Sequence, residues 1–543
     1  MRQLYPAKAL RYEIRVGTSR FLFYLWGSWI VFSCVGQDVL TWHNDNARTG
    51  QNLAEPFLTP ENVNPAKFGK LFVIAVDGKV DAEPLYLQRL PMPNRGLRNV
   101  LYVATEHDSL YAFDADTGQQ FWHVQLVKPG ESPSDNRNCS QITPEIGITS
   151  TPVIDRQADR QGTIYAVAMS KDQAGHYFQR LHALDLKTGA EQLGGPVEIH
   201  ATFPGNGAAS HDGVAMFDPK QYAERAALLL LNGVIYTSWT SHCDINPYNG
   251  WVIGYNAGTL KQTAALDITP NGEEGAFWQS GAGPAADPQG NFYLMSGNGT
   301  FDESLNAEGF PLHGNFGNSF LKISPRGGKL LVADYFTMFD VLKENAADDD
   351  LGSGGPMVLP DMSDASGKVR RLAVGAGKDL NIYLVNRDAM GKFSKQGNQA
   401  IYQEVPHVMK HNFSRPIPAY FNGHVYYAST ADTLREFRFE NARLIAEPLS
   451  QTRLKFVYPG ATPSISANGS RNGIVWATEN LNPAVLHAYD ASDLAHELYN
   501  SDAAVSSRDH FGAGNKFITP MIANGKVYVG TTDGVGVFGL RIR

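Results

Sequence analysis

The stretch Asn99-Val-Leu-Tyr-Val-Ala-Thr-Glu-His-Asp-Ser-Leu-Tyr-Ala-Phe-Asp114, followed by Ala115-Asp-Thr-Gly-Gln-Gln-Phe-Trp122, decides the fold. It holds an apolar strand, a turn, a second strand ending in Ala-x-Asp, a Thr-Gly turn, and a strand opening on Trp122. Weaker copies follow: Gly162-Thr-Ile-Tyr-Ala-Val-Ala with Leu181-His-Ala-Leu-Asp-Leu-Lys-Thr-Gly189, and Gly233-Val-Ile-Tyr236 with Trp251-Val-Ile-Gly-Tyr-Asn256. Gly290-Asn-Phe-Tyr-Leu-Met leads to Ser319-Phe-Leu-Lys-Ile-Ser324, then come Leu380–Arg387, Gly423-His-Val-Tyr-Tyr427, Gly473-Ile-Val-Trp476 with His487-Ala-Tyr-Asp490, and Gly525–Phe538. Each copy alternates apolar and polar residues with Gly or Asn-Gly at the bends, the pattern of half-buried antiparallel strands.

A Gly-aromatic, β-branched signature returning every few dozen residues means radial repetition, because one small sheet cannot bury both its faces alone. Eight copies predict an all-β, eight-bladed β-propeller of four-stranded antiparallel blades. Gly118 takes the turn position, and the indole of Trp122 can lie flat on a neighbouring blade. Leu193 and Leu498 stand where other copies would carry that Trp. The final copy supplies three strands, and Phe68-Gly-Lys-Leu-Phe-Val-Ile-Ala75 reads as an outermost strand without an inner partner. Pairing the two closes the last blade and removes an exposed edge. The propeller then spans 68–543, and 37–67 form an N-terminal arm packed on it.

Residues 1–36 read as a signal peptide. Arg2, Lys8, Arg11, Arg15 and Arg20 precede an apolar run from Phe21 to about Gly36, too short for the ~20 residues of a spanning helix. Cleavage, retention as an N-terminal anchor, and lipidation at Cys34 are the three outcomes open to it. Cleavage predicts a periplasmic or secreted protein that meets a membrane only if the anchor is kept. The net charge of −8 provides no basic stripe for nucleic acid. Cys139 and Cys243 lie in polar, turn-rich stretches, where an oxidising compartment allows a disulfide; two separate buried thiols are the alternative. There is no CxxCH for a c-type haem and no CxxC pair for zinc.

Ala112-x-Asp114-x-x-Thr117-Gly118-x-x-x-Trp122 resembles the tryptophan-docking repeat of the quinoprotein alcohol dehydrogenases and of the outer-membrane assembly propeller that shares their fold. The resemblance marks a scaffold and implies a site only position by position. In the enzymes a Gly-Asn-Gly turn gives an asparagine to a calcium ion on pyrroloquinoline quinone (PQQ). Here Ser296-Gly297-Asn298-Gly299, preceded by Phe277-Trp278 and Asp287, makes Asn298 the matching ligand; a plain Asn-Gly turn is the structural alternative. Gly377-Lys378-Asp379 resembles the strand whose lysine contacts the quinone oxygens, which implies that role for Lys378. Asp348-Asp349-Asp350 lies where the family keeps its catalytic aspartate, and Asp350 has the better offset to be that base and a metal ligand; a solvated turn is its alternative.

Other positions depart from the family. No two cysteines are adjacent, the calcium-binding glutamate has only Asp244 as a substitute, and no tryptophan is assigned to the floor of the quinone site. Glu106-His107-Asp108, Thr143-Pro144-Glu145 and Trp278-Gln279 should lie on the same face and could line a different axial pocket, with His107 and Glu145 either ligands or surface residues. Two functions follow. The missing positions and eroded repeats favour a binding or scaffold propeller that offers its loop face to a protein or glycan. The matching positions imply a dehydrogenase that uses PQQ and Ca²⁺ to oxidise an alcohol or sugar and passes electrons to a separate partner. A hydrolase or lyase has no motif support.

Overall fold

Strands Leu85–Met92, Gly96–Ala104, Ser109–Asp114 and Gln120–Gln125 form an antiparallel four-stranded sheet in sequence order, and this arrangement recurs along the chain. The computed structural model describes residues 37–157, 162–409 and 415–541, so the signal segment read at 1–36 lies outside the described residues. Val153–Asp155, Thr163–Asp172, Tyr177–Asp185 and Val197–Glu198 make the next such run, and Leu229–Leu231, Val234–Ser241, Trp251–Asn256 and Gln262–Asp267 the one after. The same order organises the runs between Ala285 and Phe336, Met357 and Val405, Ala419 and Phe456, and Ser464 and Asn500. Among the described residues the one α-helix is Val341–Ala347.

Phe68–Ala75 pairs antiparallel with Gly534–Leu540, from Phe68 opposite Leu540 to Ala75 opposite Gly534. Phe68–Ala75 and the C-terminal strand therefore share one sheet with Lys526–Gly530 and Met521–Ala523. Apolar clusters tie each sheet to its neighbours. One unites Ile74, Val535 and Val537 with Tyr102, Leu110, Ile164 and Leu184; another joins Phe68, Val527 and Phe538 to Trp476 and Leu486. This double-sided cover changes the expected burial pattern. Ser109–Asp114 is buried at all six positions and Thr163–Ser170 at eight, because sheets pack on both faces. Alternation survives in outermost strands such as Gln120–Gln125. Trp122 sits there, donating its indole N–H to Leu186 O at 3.1 Å, and a Cβ on Gly189 would stand 2.8 Å from its ring. Phe72 takes the matching place against Gly118.

The arm does more than pack on the surface. It touches the first strand or lead-in of one sheet after another in chain order, mostly through its backbone and twice through Asn side chains. Val39 exchanges hydrogen bonds with Tyr86, and Leu40 O accepts from Ile154 N. Asn46 donates to Leu230 O and accepts from Ala286 N; Ala47 O accepts from Val358 N and Thr49 O from Tyr420 N. Gly50 O accepts from Ile465 N, and Asn52 donates to Ile522 O. The short span 39–52 thus bonds to sheets drawn from the whole chain. At its centre lies Arg48, 1% exposed, donating to Thr41 Oγ1, Trp42 O, Pro284 O and Leu228 O at 2.7–3.2 Å. Burial lowers the Arg48 pKa to about 10, with Asp45 and Glu83 opposing.

Candidate functional site

Three loops from different sheets meet because glycines let their backbones touch. A Cβ on Gly352 would lie 2.3 Å from Gly297 N, and one on Gly377 would lie 2.5 Å from Leu351 Cα. Hydrogen bonds fix the junction: Lys378 N donates to Asp350 O (3.0 Å), Leu351 N to Asn318 Oδ1 (2.8 Å), and Asn318 N to Gly297 O (2.7 Å). The helix Val341–Ala347 ends on Asp348 in a left-handed conformation (φ 59°) and delivers the three aspartates to this junction.

The side chains converge there. Lys378 Nζ lies 2.6 Å from Asp350 Oδ1 and 2.7 Å from Asp348 Oδ1, and the latter also accepts from Asn298 Nδ2 at 2.8 Å. Asp350 is 2% exposed, so it is no solvated turn residue. Burial raises its pKa, with Lys378 opposing. Burial works against the Lys378 charge, but Asp350 and Asp348 more than offset it and hold its pKa above the usual value. Asn298, Asp348, Asp350 and Lys378 line one cavity of about 330 Å³ together with Asp244, Cys243, Trp278, Arg225, Arg415, Gln141 and Tyr458. Asn298, Asp350, Lys378 and Asp244, singled out from sequence and on four separate loops, are thereby brought to one place.

Cys139 and Cys243 form a disulfide across 104 residues of sequence, and Cys243 lines the cavity wall. Trp278 supplies a tryptophan face there; Tyr248 meets it edge-on at 6.4 Å, and the Arg225 guanidinium lies over it at 5.4 Å. Asp244 accepts from the Tyr248 hydroxyl at 3.0 Å. Asp287 is remote from this cavity, accepting from Asn291 and from the Tyr293 hydroxyl within its own sheet. His107 and Glu145 pair with each other at 2.9 Å, partly exposed and off the cavity lining. Glu106 is buried and accepts from Gly147 N and Thr149 Oγ1, a bracing role. Arg225, Arg415, Gln141 and Tyr458 were not legible in the sequence: each is a single polar or aromatic residue in a different loop, with no motif around it.

For a calcium ion, the donor oxygens present fit in part. Asn298 Oδ1 and Asp350 Oδ2 are both buried acceptors without a hydrogen-bond partner, the kind of oxygen a hard divalent cation takes. No set of three or more His, Cys, Asp or Glu side chains among the described residues is arranged around a common metal position. Such an ion would have to draw its other oxygens from a bound ligand or water.

No protein-family model and no curated protein sequence matches the chain. Solved structures do. Quinohaemoprotein alcohol dehydrogenase from Comamonas testosteroni superposes with a TM-score of 0.61 at 13% identity, over 93% of this chain and 81% of the other. The quinohaemoprotein alcohol dehydrogenase ADHIIG from Pseudomonas putida HK5 gives 0.61 at 13%, over 93% and 80%. A europium-containing methanol dehydrogenase gives 0.60 at 12%, over 93% and 98%. At such identities the likeness concerns the scaffold. The chain therefore shares the propeller fold of the quinoprotein alcohol dehydrogenases.

Proposed function

We propose that the recurring four-stranded sheets are the eight blades of a propeller spanning 68–543, whose loop-face cavity binds PQQ with Ca²⁺ and oxidises an alcohol or sugar. The observation that carries this reading is the convergence of Asn298, Asp350 and Lys378 on one cavity with Trp278 and the Cys139–Cys243 disulfide. The cyclic packing of sheets and the arm that bonds to each in turn support the count of eight.

Within this reading Lys378 binds oxygens of the cofactor, and Asn298 Oδ1 and Asp350 Oδ2 hold the cation, with Asp244 at the same rim. Trp278 and the disulfide offer flat, apolar faces to a planar ring. When bound, the quinone supplies a two-electron acceptor for the alcohol carbon. Asp350 takes the hydroxyl proton, a role suited to a buried carboxylate held beside a lysine. The disulfide and the leader read at 1–36 support export to an oxidising compartment, periplasmic or secreted. No helix among the described residues is long and apolar enough to cross a membrane.

A specific observation favours a second reading, a binding scaffold for a protein or glycan. The Lys378 charge is already matched by Asp348 and Asp350, and no three-carboxylate cage faces it. Titrating purified protein with PQQ and Ca²⁺ separates the two. A stoichiometric absorption shift, dye reduction with alcohols or sugars, and loss of both in Lys378→Ala support the dehydrogenase. No shift at stoichiometric quinone sinks it in favour of the scaffold.

A further inference from the structure

Arg225 and Arg415 line the cavity, Arg415 and Lys516 line the pocket beside it, and the three cations have no ion-pair partner among the described residues. Arg225 is 4% exposed, is stacked over Trp278 at 5.4 Å and Phe517 at 4.8 Å, and keeps its Nε buried without a hydrogen-bond partner. Arg415 donates through Nη2 to Gln141 Oε1 at 3.3 Å, and its Nη1 is also buried without a partner. Lys516 reaches the same Gln141 Oε1 at 3.2 Å. Arg415 and Lys516 share the Tyr458 ring, at 5.1 and 5.7 Å. None of the three forms an ion pair among the described residues. The nearby carboxylates Asp81 and Asp244 offset part of the charge from a distance, while Asp81 pairs directly with Lys79 at 2.9 Å and Asp244 accepts from the Tyr248 hydroxyl. Thr478, in the pocket that adjoins Arg415 and Lys516, keeps a buried hydroxyl without a partner.

Three cations gathered in a partly dry recess without a direct ion-pair partner raise one another's energy, and perturbed charges held in a cleft are candidates for a ligand site. Their titration reflects the cost. Burial and Arg415 bring Arg225 down to about 9, and burial with Arg415 and Arg225 brings Lys516 down to about 8. The three approach from loops of different sheets, so the cluster is no by-product of one local turn.

We propose that Arg225, Arg415 and Lys516 form an oxyanion site that takes the carboxylate of a small ligand, with Gln141 and Tyr458 as its frame. Guanidinium forks match carboxylate geometry, and the aromatic faces hold them in place without neutralising them. Resting on the dehydrogenase reading, the site makes the substrate an acidic polyol, its carboxylate on the cations and its hydroxyl end toward Asp350. A carboxylate of the quinone itself is the other source of the same chemistry.

Calorimetry on the full mature chain without quinone tests the site, with sodium gluconate and glucose as matched probes and sulfate as competitor. Gluconate should bind at least about tenfold more tightly than glucose and be displaced by sulfate. Arg415→Gln and Lys516→Gln, both on partly exposed side chains, should each weaken it about fivefold or more while leaving the unfolding midpoint in place. Equal binding of the two probes, or unchanged gluconate affinity in both variants, overturns the proposal. Repeating the titration with stoichiometric PQQ identifies the source: retained gluconate binding assigns the site to substrate, and displacement assigns it to the quinone carboxylate. Because the first titration contains no quinone, failure of the dehydrogenase reading leaves it interpretable.

Discussion

Replacing Lys378 by Met tests the electrostatics of the site through stability alone. The Asp350 side chain is 3% exposed and the Lys378 side chain 16%, with 2.6 Å between charged atoms. Removing one partner of a buried pair leaves an uncompensated charge and costs about 3–5 kcal/mol. The residual exposure of the lysine places this pair at the lower end, about 3 kcal/mol. Asp348 is 61% exposed on its side chain and adds no more than about 1 kcal/mol. Urea unfolding near neutral pH should thus show Lys378→Met destabilised by about 3 kcal/mol, and adding Asp350→Asn should restore most of it, since no buried charge remains. The pH dependence has a definite sign. Burial already raises the Asp350 pKa, and loss of the lysine raises it further. A carboxyl whose folded pKa is raised favours the folded state at low pH and loses that advantage as pH rises through the folded value. The single variant should therefore match the parent protein while Asp350 is protonated in both folded states, and fall behind as pH rises through the parent's raised Asp350 pKa. A Lys378→Met protein as stable as the parent near neutral pH, or a double variant weaker than the single, would refute the reasoning.

Arg48→Met removes four hydrogen bonds at the centre of the arm and strands buried acceptors; we expect a loss of about 4 kcal/mol or more by chemical unfolding, against less than about 0.5 for the exposed Arg326→Met. Opening the Cys139–Cys243 bridge, which closes 104 residues, should cost up to about 4–5 kcal/mol on the loop-entropy account, seen as a drop in unfolding midpoint with reductant that the double serine variant lacks. Gluconate affinity should fall as pH rises past about 8, where Lys516 loses its proton under the influence of burial, Arg415, Arg225 and Lys79, with Asp81 opposing. Lys516→Gln should flatten that limb in calorimetry at stepped pH.

The sequence by itself determined the repeat. Gly-aromatic strands such as Asn99–Trp122 state their bends and their apolar content locally, so strand order and the Phe68–Ala75 pairing with the last strands could be read without coordinates. Asn298, Lys378 and Asp350 were legible because each sits in a short motif. What sequence misjudged was burial: strands expected to be half-buried are covered on both faces, since neighbouring sheets supply the second cover that no single copy encodes. Only the tertiary structure decided that the four site residues share a cavity, that Trp278 and a disulfide joining distant cysteines wall it, and that Arg225 and Arg415 face it, with Lys516 in the pocket beside them and no ion-pair partner for the three among the described residues. It also decided that residues 39–52 bond in turn to eight of the sheets around Arg48. These are contacts between loops far apart in the chain, and their partners are fixed by the circular packing of the sheets, which no local pattern of residues can specify.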